Sequence, residues 1–397
     1  MKNLFKPRIT KFLKRTMRLI LAAFVLIPAV AYSMPNDFVS ANAVGTYETV
    51  GVGKKLVDCF PGKDRLLANC VYQAIVGSAK VPYNYRLTEE DVSAIESLDR
   101  IFFFVTKDHK SVDISGISNL TNLETFELDF DDESFVMEVT DEIALLTKLT
   151  SLGLCGVDSL PKLPSSLTRL YLYNPSPSAF DDLPDSLTSL NIELSDITSL
   201  PDNLLNNLPN NLTSLDVSRN KLQSLPDNLP SSLTELWAYG NQLQALPDNL
   251  PKSLTSLRAY DNQLQSLPDN LPSSLTELWA YGNQLQSLPD NLPASLTDLY
   301  VSFNQLQSLP DNLPASLTYL YVSFNQLKSL PDNLPESLTY LYAENNQFKE
   351  LDLSNLKNLK NVSVSDQNPQ FEYIATGDGN YKILDVPTKN VSDIKIN

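Results

Sequence analysis

The stretch Leu275–Ser295 reads LTELWAYGNQLQSLPDNLPAS, and close copies of it follow one another along the chain without a gap. Seven consecutive units of equal length begin at Leu212, Leu233, Leu254, Leu275, Leu296, Leu317 and Leu338. Counted from that leucine as offset 0, the shared frame has Leu at offsets 0, 3, 10, 13 and 17, a small apolar residue at offset 5 and Asn at offset 8. A fixed period of this length predicts units that stack into one solenoid.

This frame resembles the leucine-rich repeat. From LTSLDVSRNKLQSLPDNLP (residues 212–230) onward it resembles the LPX subclass of bacterial leucine-rich repeats, as in the YopM and IpaH-type effector families. The resemblance implies a horseshoe-shaped solenoid with short parallel β-strands on the concave face and an extended, polyproline-like convex side. In IpaH-type proteins a ligase domain would follow the repeats. Here only the short segment 359–397 follows Asn358 and it contains no cysteine, so we expect no ligase activity.

The rest of the chain divides around this array. LTEEDVSAIES (residues 87–97) suggests a capped helix that leads into repeats, and this order is similar to the N-terminal caps of internalin-like proteins. Thr88 and Asp91 have the spacing of a capping box. The predicted domains are a signal peptide at 1–33, a small α-helical N-terminal cap at 34–97, irregular repeats at 98–211, the seven LPX-type repeats at 212–358 and a C-terminal cap at 359–397.

The N-terminus has the composition of an export signal. Basic residues precede the apolar run Leu19–Ala31, which is short for a membrane span, and the run ends in the small-residue motif Ala29-Val30-Ala31. An uncleaved membrane anchor is the alternative. Export would place the protein in the periplasm, at the cell surface or in the medium. Because the formal net charge is −17, nucleic acid and anionic membranes are disfavoured as partners.

Two of the three cysteines stand near the start of the predicted mature chain. Cys59 and Cys70 are separated by ten residues, and Asp64 can cap a helix that ends before Gly77. In an oxidising compartment a Cys59–Cys70 disulfide would stabilise a cap with little core of its own. Two reduced, buried thiols are the alternative.

Each position of the repeat has a predicted role. Offsets 0 to 6 should form a strand whose odd members, such as Leu236 and Ala238, face the core while offsets 2, 4 and 6 face the concave surface. The Asn at offset 8 should be buried, where its amide can satisfy backbone groups of neighbouring turns. The outer segment LPDNLP has two prolines and too few residues for a helix.

The predicted concave surface carries ten aromatic rings, which would form a strip on the order of 30 Å long. Both tryptophans of the chain are among them. The predicted partner-binding residues are Glu235, Trp237, Tyr239, Arg258, Tyr260, Glu277, Trp279, Tyr281, Asp298, Tyr300, Tyr319, Tyr321, Tyr340 and Tyr342. Rings exposed beside carboxylates have the composition of a protein interface.

Three interpretations of these rings remain open. A protein partner with a basic or apolar patch is favoured, which predicts an exported, monomeric binding scaffold with a role in host interaction or virulence. The same rings would suit a glycan, as in an adhesion protein of the cell surface. They also suit a ladder that only stabilises the sheet. A secreted effector adaptor that lacks its own catalytic domain is a further functional alternative.

The sequence indicates no enzyme and no cofactor. The single histidine, His109, lies in the charged segment TKDHK, and no nucleophile motif accompanies it. A column of aspartates at offset 15 could share Ca²⁺ between turns or, more simply, form Asx turns with the local backbone. These residues are Asp227, Asp248, Asp269, Asp290, Asp311 and Asp332.

The C-terminal segment 359–397 departs from the repeat after one further unit that begins at Leu359. Apolar residues on both sides of Gly377-Asp378-Gly379 suggest a β-hairpin. Such a hairpin would cover the final turn, whose leucines and strand edge would otherwise be exposed.

Overall fold

The computed structural model describes residues 59, 67–68, 71–72, 85–91, 100–105, 111–130, 136–367, 373–375 and 382–385. All of them belong to one compact unit, Thr46–Asn397. The predicted signal peptide, Cys70 and His109 lie outside the described residues. Within the described part of the chain, no helix has both the length and the apolar character needed to cross a membrane.

The architecture is a stack of turns, and each turn adds one short strand to a parallel sheet of 14 strands. The strands are β1 (Arg100–Val105), β2 (Ser111–Asp113), β3 (Thr125–Phe130), β4 (Val136–Glu138), β5 (Ser151–Cys155), β6 (Arg169–Tyr173), β7 (Ser189–Asn191), β8 (Ser214–Asp216), β9 (Glu235–Trp237), β10 (Ser256–Arg258), β11 (Glu277–Trp279), β12 (Asp298–Tyr300), β13 (Tyr319–Tyr321), β14 (Tyr340–Tyr342), β15 (Glu350–Asp352), β16 (Asn361–Ser363), β17 (Tyr373–Ala375) and β18 (Lys382–Asp385). The large sheet runs β1-β3-β5 and then β6 to β14 in sequence order, followed by β16 and β18. Two small sheets pair β2 with β4 and β15 with β17.

The leucines of the repeat form the core. In all seven units the side chains at offsets 0, 3 and 10 are fully buried, and Phe348 replaces leucine at offset 10 of the last unit. Equivalent leucines stand opposite one another in the sheet, as in Leu236, Leu257 and Leu278. Burial of one leucine side chain is worth about 1.5–3 kcal/mol. These columns therefore supply most of the energy that holds neighbouring turns together.

The strands of the array are shorter than predicted. Each covers offsets 2 to 4 only, as in Glu277–Trp279, rather than offsets 0 to 6. The flanking residues still pair between turns, because the Ala280 N–H donates to the carbonyl of Tyr300 at 2.8 Å and the Thr276 N–H donates to that of Thr255 at 2.8 Å. The prediction that alternate side chains face the core is confirmed by the burial of Leu278 between two half-buried neighbours.

The conformation of each outer segment depends on the number of residues that connect one strand to the next. In residues 212–358 they contain turns and bends but no helix. Helical turns occur in the irregular section, as the 3₁₀ helices Ile117–Asn119, Asp141–Leu145 and Pro177–Phe180 and one α-helix, Asp202–Asn207. The α-helix lies between Leu187 and Leu212, which are further apart than equivalent leucines of the regular array. The longer connection gives the outer loop enough chain to close a helical turn.

The asparagine column forms a buried ladder, as predicted. Asn283 is 8% exposed, and its Nδ2 donates to the carbonyls of Ala259 in the preceding turn at 3.0 Å and of Ala280 at 3.2 Å. Its Oδ1 accepts the N–H of Leu264 in the preceding turn at 2.9 Å. The same contacts recur at Asn220, Asn241, Asn262, Asn304, Asn325 and Asn346, although in the first turn the acceptor oxygen takes the N–H groups of Ser195 and Ile197.

The N-terminal residues that the structure describes include the predicted capping box. The Asp91 N–H donates to Thr88 Oγ1 at 3.1 Å, and the Thr88 N–H donates to Asp91 Oδ2 at 2.8 Å. Burial raises the pKa of Asp91, but hydrogen bonds to its carboxylate from the Thr88 N–H, Tyr85 OH and Thr88 Oγ1 hold that pKa below its usual value. Cys59 is buried, and its carbonyl accepts a hydrogen bond from Asn119 Nδ2 at 2.8 Å. The proposed Cys59–Cys70 disulfide remains a prediction.

The predicted C-terminal hairpin is wrong. Strands β17 and β18 flank Gly377-Asp378-Gly379, but they do not pair with each other. Instead β17 pairs in parallel with β15, and β18 pairs in parallel with β16, so that Asn361 stands opposite Lys382, one repeat length later. Because these strands extend existing parallel ladders, this segment continues the solenoid rather than folding back over its end.

Candidate functional site

The ten rings predicted as a binding surface lie on one face of the sheet formed by β9 to β14. We call them the aromatic strip, which comprises Trp237, Tyr239, Tyr260, Trp279, Tyr281, Tyr300, Tyr319, Tyr321, Tyr340 and Tyr342. Side chains alternate along a strand, so offsets 2 and 4 point away from the leucine at offset 3. The parallel register then aligns equivalent rings, as in Trp279, Tyr300 and Tyr321.

The rings form three ladders, in which neighbouring rings are stacked except for Trp279 and Tyr300, whose planes are tilted by 42°. Tyr260 lies between Tyr239 and Tyr281, with ring centroids 4.4 and 4.3 Å apart and interplanar angles of 8° and 11°. A second ladder joins Trp279, Tyr300, Tyr321 and Tyr342 with centroid separations of 4.5 Å throughout, and a third pairs Tyr319 with Tyr340 at 4.6 Å. These separations approach the strand spacing, about 4.8 Å, so the ring faces are largely covered by other rings.

Stacking leaves less of the strip exposed than the sequence suggests. Tyr300 and Tyr321 are only 5% and 4% exposed, because each has a ring on both faces. The other eight rings are half-buried. These two tyrosines, both predicted as partner-binding residues, therefore present little area to a partner and support their neighbours.

A cation–π cluster occupies the N-terminal half of the strip. The Arg258 guanidinium lies 4.6 Å from the ring centroid of Trp237 and 4.7 Å from that of Trp279, between the two indoles. Arg258 Nη2 lies 3.8 Å from Glu277 Oε2. Trp237 Nε1, Trp279 Nε1 and Arg258 Nε are buried without a hydrogen-bond partner, and they make up three of the six such side-chain atoms among the described residues. A stable core normally satisfies such donors.

Carboxylates border the rings at offset 2. Glu235 and Glu277 accept hydrogen bonds from Ser214 Oγ and Ser256 Oγ, both at 3.3 Å. Asp298 accepts one from Thr297 Oγ1 at 2.6 Å. Burial raises the pKa of Asp298 above its ordinary value, and the charge of Glu277 adds to the effect. This border makes the strip acidic as well as aromatic.

The tyrosines of the strip are neutral hydrogen-bonding groups. Burial is the main cause that raises the pKa of Tyr260 to about 12, and it raises the pKa of six others. Those six are Tyr239, Tyr281, Tyr300, Tyr319, Tyr321 and Tyr342. The phenol groups therefore stay protonated at neutral pH and can donate hydrogen bonds to a ligand.

A polar cluster that was not predicted from the sequence lies at the N-terminal end of the strip. Glu193 Oε1 accepts a hydrogen bond from Tyr239 OH at 3.1 Å and lies 3.1 Å from Arg219 Nη1. Next to it Asp216, at offset 4 of the first unit, is 5% exposed. Glu193 belongs to the irregular section. The wider spacing of the leucines there prevents its position from being assigned to an offset of the regular array. Asp216 stands at offset 4, where five of the six later units have a ring, and that difference was the available signal.

The aspartate column shows no ligand-binding geometry. All six side chains are exposed, and none of them forms a hydrogen bond with a described residue, so the predicted Asx turns are absent. The outer turn is closed instead by the backbone, as in the bond from the Leu233 N–H to the Pro230 carbonyl at 3.1 Å. In the part of the chain that the structure describes, no three His, Cys, Asp or Glu side chains are close enough together to hold a metal.

Comparison with known proteins agrees with this architecture. Residues 211–231 match the family model described as Leucine Rich Repeat. The solved structure of an internalin from Listeria monocytogenes superposes with a TM-score of 0.51 at 21% identity, covering 87% of this chain and 97% of that chain. The chain folds as a leucine-rich repeat solenoid.

Other solved leucine-rich repeat structures are similar over part of the chain. YopM from Yersinia pestis is 28% identical with a TM-score of 0.46, covering 69% of this chain and 83% of that one. A Shigella effector leucine-rich repeat domain is 35% identical with a TM-score of 0.33, covering 42% of this chain and 69% of that one. A search of curated proteins finds no match.

Proposed function

We propose that this leucine-rich repeat solenoid is an exported, non-enzymatic scaffold that binds a protein partner through the aromatic strip. The observation that carries the proposal is the set of eight half-exposed rings on one face of the sheet, five in the turns of β9 to β11 and three at β13 and β14. Aromatic side chains and arginine are the residues that most often dominate binding energy in protein interfaces. A role in host interaction or virulence is the biological setting in which we place this scaffold.

The Trp237–Arg258–Trp279 cluster supports binding over a purely structural ladder. Each buried donor without a partner costs about 1–3 kcal/mol, and a ladder optimised only for stability would lack this cost. Small rotations of the two indoles would allow their N–H groups to donate to carbonyl or carboxylate oxygens of a partner. Such side-chain adjustments are common when proteins bind.

Ring orientation favours a protein over a glycan. A sugar stacks on the flat face of an aromatic ring. Both faces of Tyr260 are occupied by the rings of Tyr239 and Tyr281, at 4.4 and 4.3 Å, and each of those two rings has one face covered by Tyr260, so the ladder presents mainly ring edges. Ring edges and phenol groups suit the mixed apolar and polar side chains of a protein. The bordering carboxylates indicate that the partner surface is basic or apolar.

The first test is capture of a partner from host-cell and bacterial-envelope extracts with the wild-type chain and a triple variant. Trp237→Ala with Trp279→Ala and Tyr281→Ala should weaken capture of the same protein about tenfold or more, since the rings at the centre of an interface carry most of its energy. Photocrosslinking from the strip would identify that protein.

The matched control carries Asp248→Ala and Asp290→Ala, which alter exposed outer loops of the same repeats. This control should capture the partner as the wild type does. Equal capture by the triple variant would refute the proposal. Binding of the wild type to a glycan array, lost in the triple variant, would assign the strip to a sugar instead.

Export is tested separately. N-terminal sequencing of the protein recovered outside the cytoplasm should give a mature chain that begins after Ala31 or Ser33, because a signal peptidase cuts after small residues that follow the apolar run. A chain that retains Met1 in the membrane fraction would show an uncleaved anchor instead.

A further inference from the structure

The residue at offset 7 of every repeat adopts a left-handed backbone conformation. The φ angles lie between 52° and 66° at Arg219, Gly240, Asp261, Gly282, Phe303, Phe324, Asn345 and, one turn further, Asp366. This position lies three residues after the end of each strand, directly before the buried asparagine. Glycine adopts such angles without cost, and asparagine and aspartate do so more readily than other residues. Five of these eight positions hold one of these three residue types.

Phe303 and Phe324 depart from that rule. A bulky residue with positive φ is a conformational outlier, and a non-glycine residue held there costs about 1–3 kcal/mol. Both rings are also exposed, at 43% and 44%, and with Leu145 they are the large apolar side chains that the described chain exposes. Their centroids are 4.3 Å apart with an interplanar angle of 9°.

Stability does not account for this pair. Stacking of two exposed rings contributes about 0.5–1.5 kcal/mol, which is no more than the strain of two left-handed phenylalanines. Gly240 and Gly282 show that the fold is built equally well without a side chain at this position. A strained, exposed aromatic pair is therefore better explained by contact with another molecule.

The surroundings of the pair are acidic. At offsets 6 and 7 of the turns from Tyr260 to Asp366, the charged residues are Asp261, Glu344 and Asp366. Glu344 follows Phe324 by one turn, and its carbonyl accepts the Phe324 N–H at 2.8 Å. Basic residues, Lys328 and Lys349, stand at offset 11 of the last two units, further round the turn.

We propose that Phe303 and Phe324 anchor an apolar side chain of a basic peptide segment in a partner protein. The inference rests on the proposed function and extends the binding surface beyond the aromatic strip. Lysine or arginine next to the anchored residue would complement Glu344 and the neighbouring aspartates. A second copy of the chain is a poorer occupant, because each copy carries a net charge of −17.

Three labelled peptides of equal length test this chemistry by fluorescence anisotropy at physiological salt, with the full chain. The first alternates lysine with leucine, the second alternates glutamate with leucine, and the third alternates lysine with serine. The lysine–leucine peptide should bind the wild type most tightly. Phe303→Asn with Phe324→Asn should weaken that binding about tenfold or more, which corresponds to about 1.4 kcal/mol.

Two controls separate ring contact from loss of structure. Asparagine is the residue already present at Asn345 with a φ of 52°, so the asparagine variant should retain the melting temperature of the wild type within a few degrees. Phe303→Tyr with Phe324→Tyr retains both rings and should bind the lysine–leucine peptide within about threefold of the wild type.

The inference is overturned if the asparagine variant binds the lysine–leucine peptide as the wild type does, or if either other peptide binds as tightly. Dimerisation of the wild type that the asparagine variant abolishes, measured by sedimentation velocity, would overturn it in favour of a second copy. These failures leave the capture experiment on Trp237, Trp279 and Tyr281 untouched. If the triple variant loses partner capture and the asparagine variant does not, the proposed function stands but the phenylalanine pair is not part of the binding surface.

Discussion

Replacing Asn283 with alanine is expected to lower the free energy of unfolding by about 3–5 kcal/mol, because several buried polar groups lose their partners at once. The variant removes the acceptor for the Leu264 N–H and the donor that serves the carbonyls of Ala259 and Ala280. Each buried polar group that loses its partner costs about 1–3 kcal/mol. A water molecule could replace the amide only in a polar cavity that is large enough to hold it. The cavity that the alanine variant leaves is small.

Equilibrium urea unfolding followed by tryptophan fluorescence measures this effect close to its source. The two tryptophans of the chain are Trp237 and Trp279, and Trp279 shares a repeat with Asn283. Gln284→Ala is the matched control, because Gln284 is the exposed neighbour and its replacement should change stability by less than about 0.5 kcal/mol. Equal unfolding midpoints for the two variants would contradict the role assigned to the ladder.

The last turn of the ladder offers a graded version of this experiment. Gln367 occupies the position that asparagine holds elsewhere, where its Nε2 donates to the Ala343 carbonyl at 2.9 Å and its Oε1 accepts the Phe348 N–H at 3.2 Å. A longer amide can therefore make the same contacts. Asn283→Gln should cost less stability than Asn283→Ala.

The repeat frame was predictable from the sequence because its physical constraints act on single residue types. A leucine at offset 3 must enter the core in every turn, and an amide at offset 8 must satisfy backbone groups of the preceding turn. Where the spacing of the repeats is irregular, or the residue type changes, these constraints no longer predict the structure. Asp202–Asn207 became a helix because its loop is longer, and Gln367 was overlooked because the expected asparagine is absent.

The site was predictable in outline only. The face on which the rings lie follows from strand alternation, but their exposure depends on how each ring packs on the next. Tyr300 and Tyr321 show this, since stacking on both faces buries them. The left-handed φ of Phe303 and Phe324 could not be predicted from the residue type either, because aromatic residues do not favour positive φ. Comparison with the glycines at the same offset of other units was the signal available.

The acidic end of the array should give the protein a distinctive pH dependence. Burial of Asp216 is the main cause that raises its pKa to about 6, and the charge of Glu193 adds to the effect. Hydrogen bonds oppose it, including the one from the Ser218 N–H to Asp216 Oδ1 at 2.9 Å. Asn191 Nδ2 also donates to Asp216 Oδ2 at 3.0 Å, so the carboxyl group is held in place in the folded state.

The sign of the effect follows from proton linkage. Aspartate in an unfolded chain has a pKa of about 3.9, so between about pH 4 and pH 6 the folded state holds a proton that the unfolded state has lost. The contribution of Asp216 to stability is therefore present at low pH and is lost as the pH rises through this window. A shift of about two pKa units corresponds to a loss on the order of 2–3 kcal/mol.

Urea unfolding of the wild type and of Asp216→Asn at several pH values isolates this contribution, because the other carboxylates cancel in the difference between the two profiles. The free energy of unfolding of the wild type minus that of the variant should fall by roughly 2–3 kcal/mol between pH 4 and pH 7, as the pKa shift requires. Any hydrogen bond that the asparagine fails to make displaces the difference by a constant and leaves its slope unchanged. A difference that stays flat, or that rises with pH, would show that Asp216 ionises in the folded chain as readily as in the unfolded one.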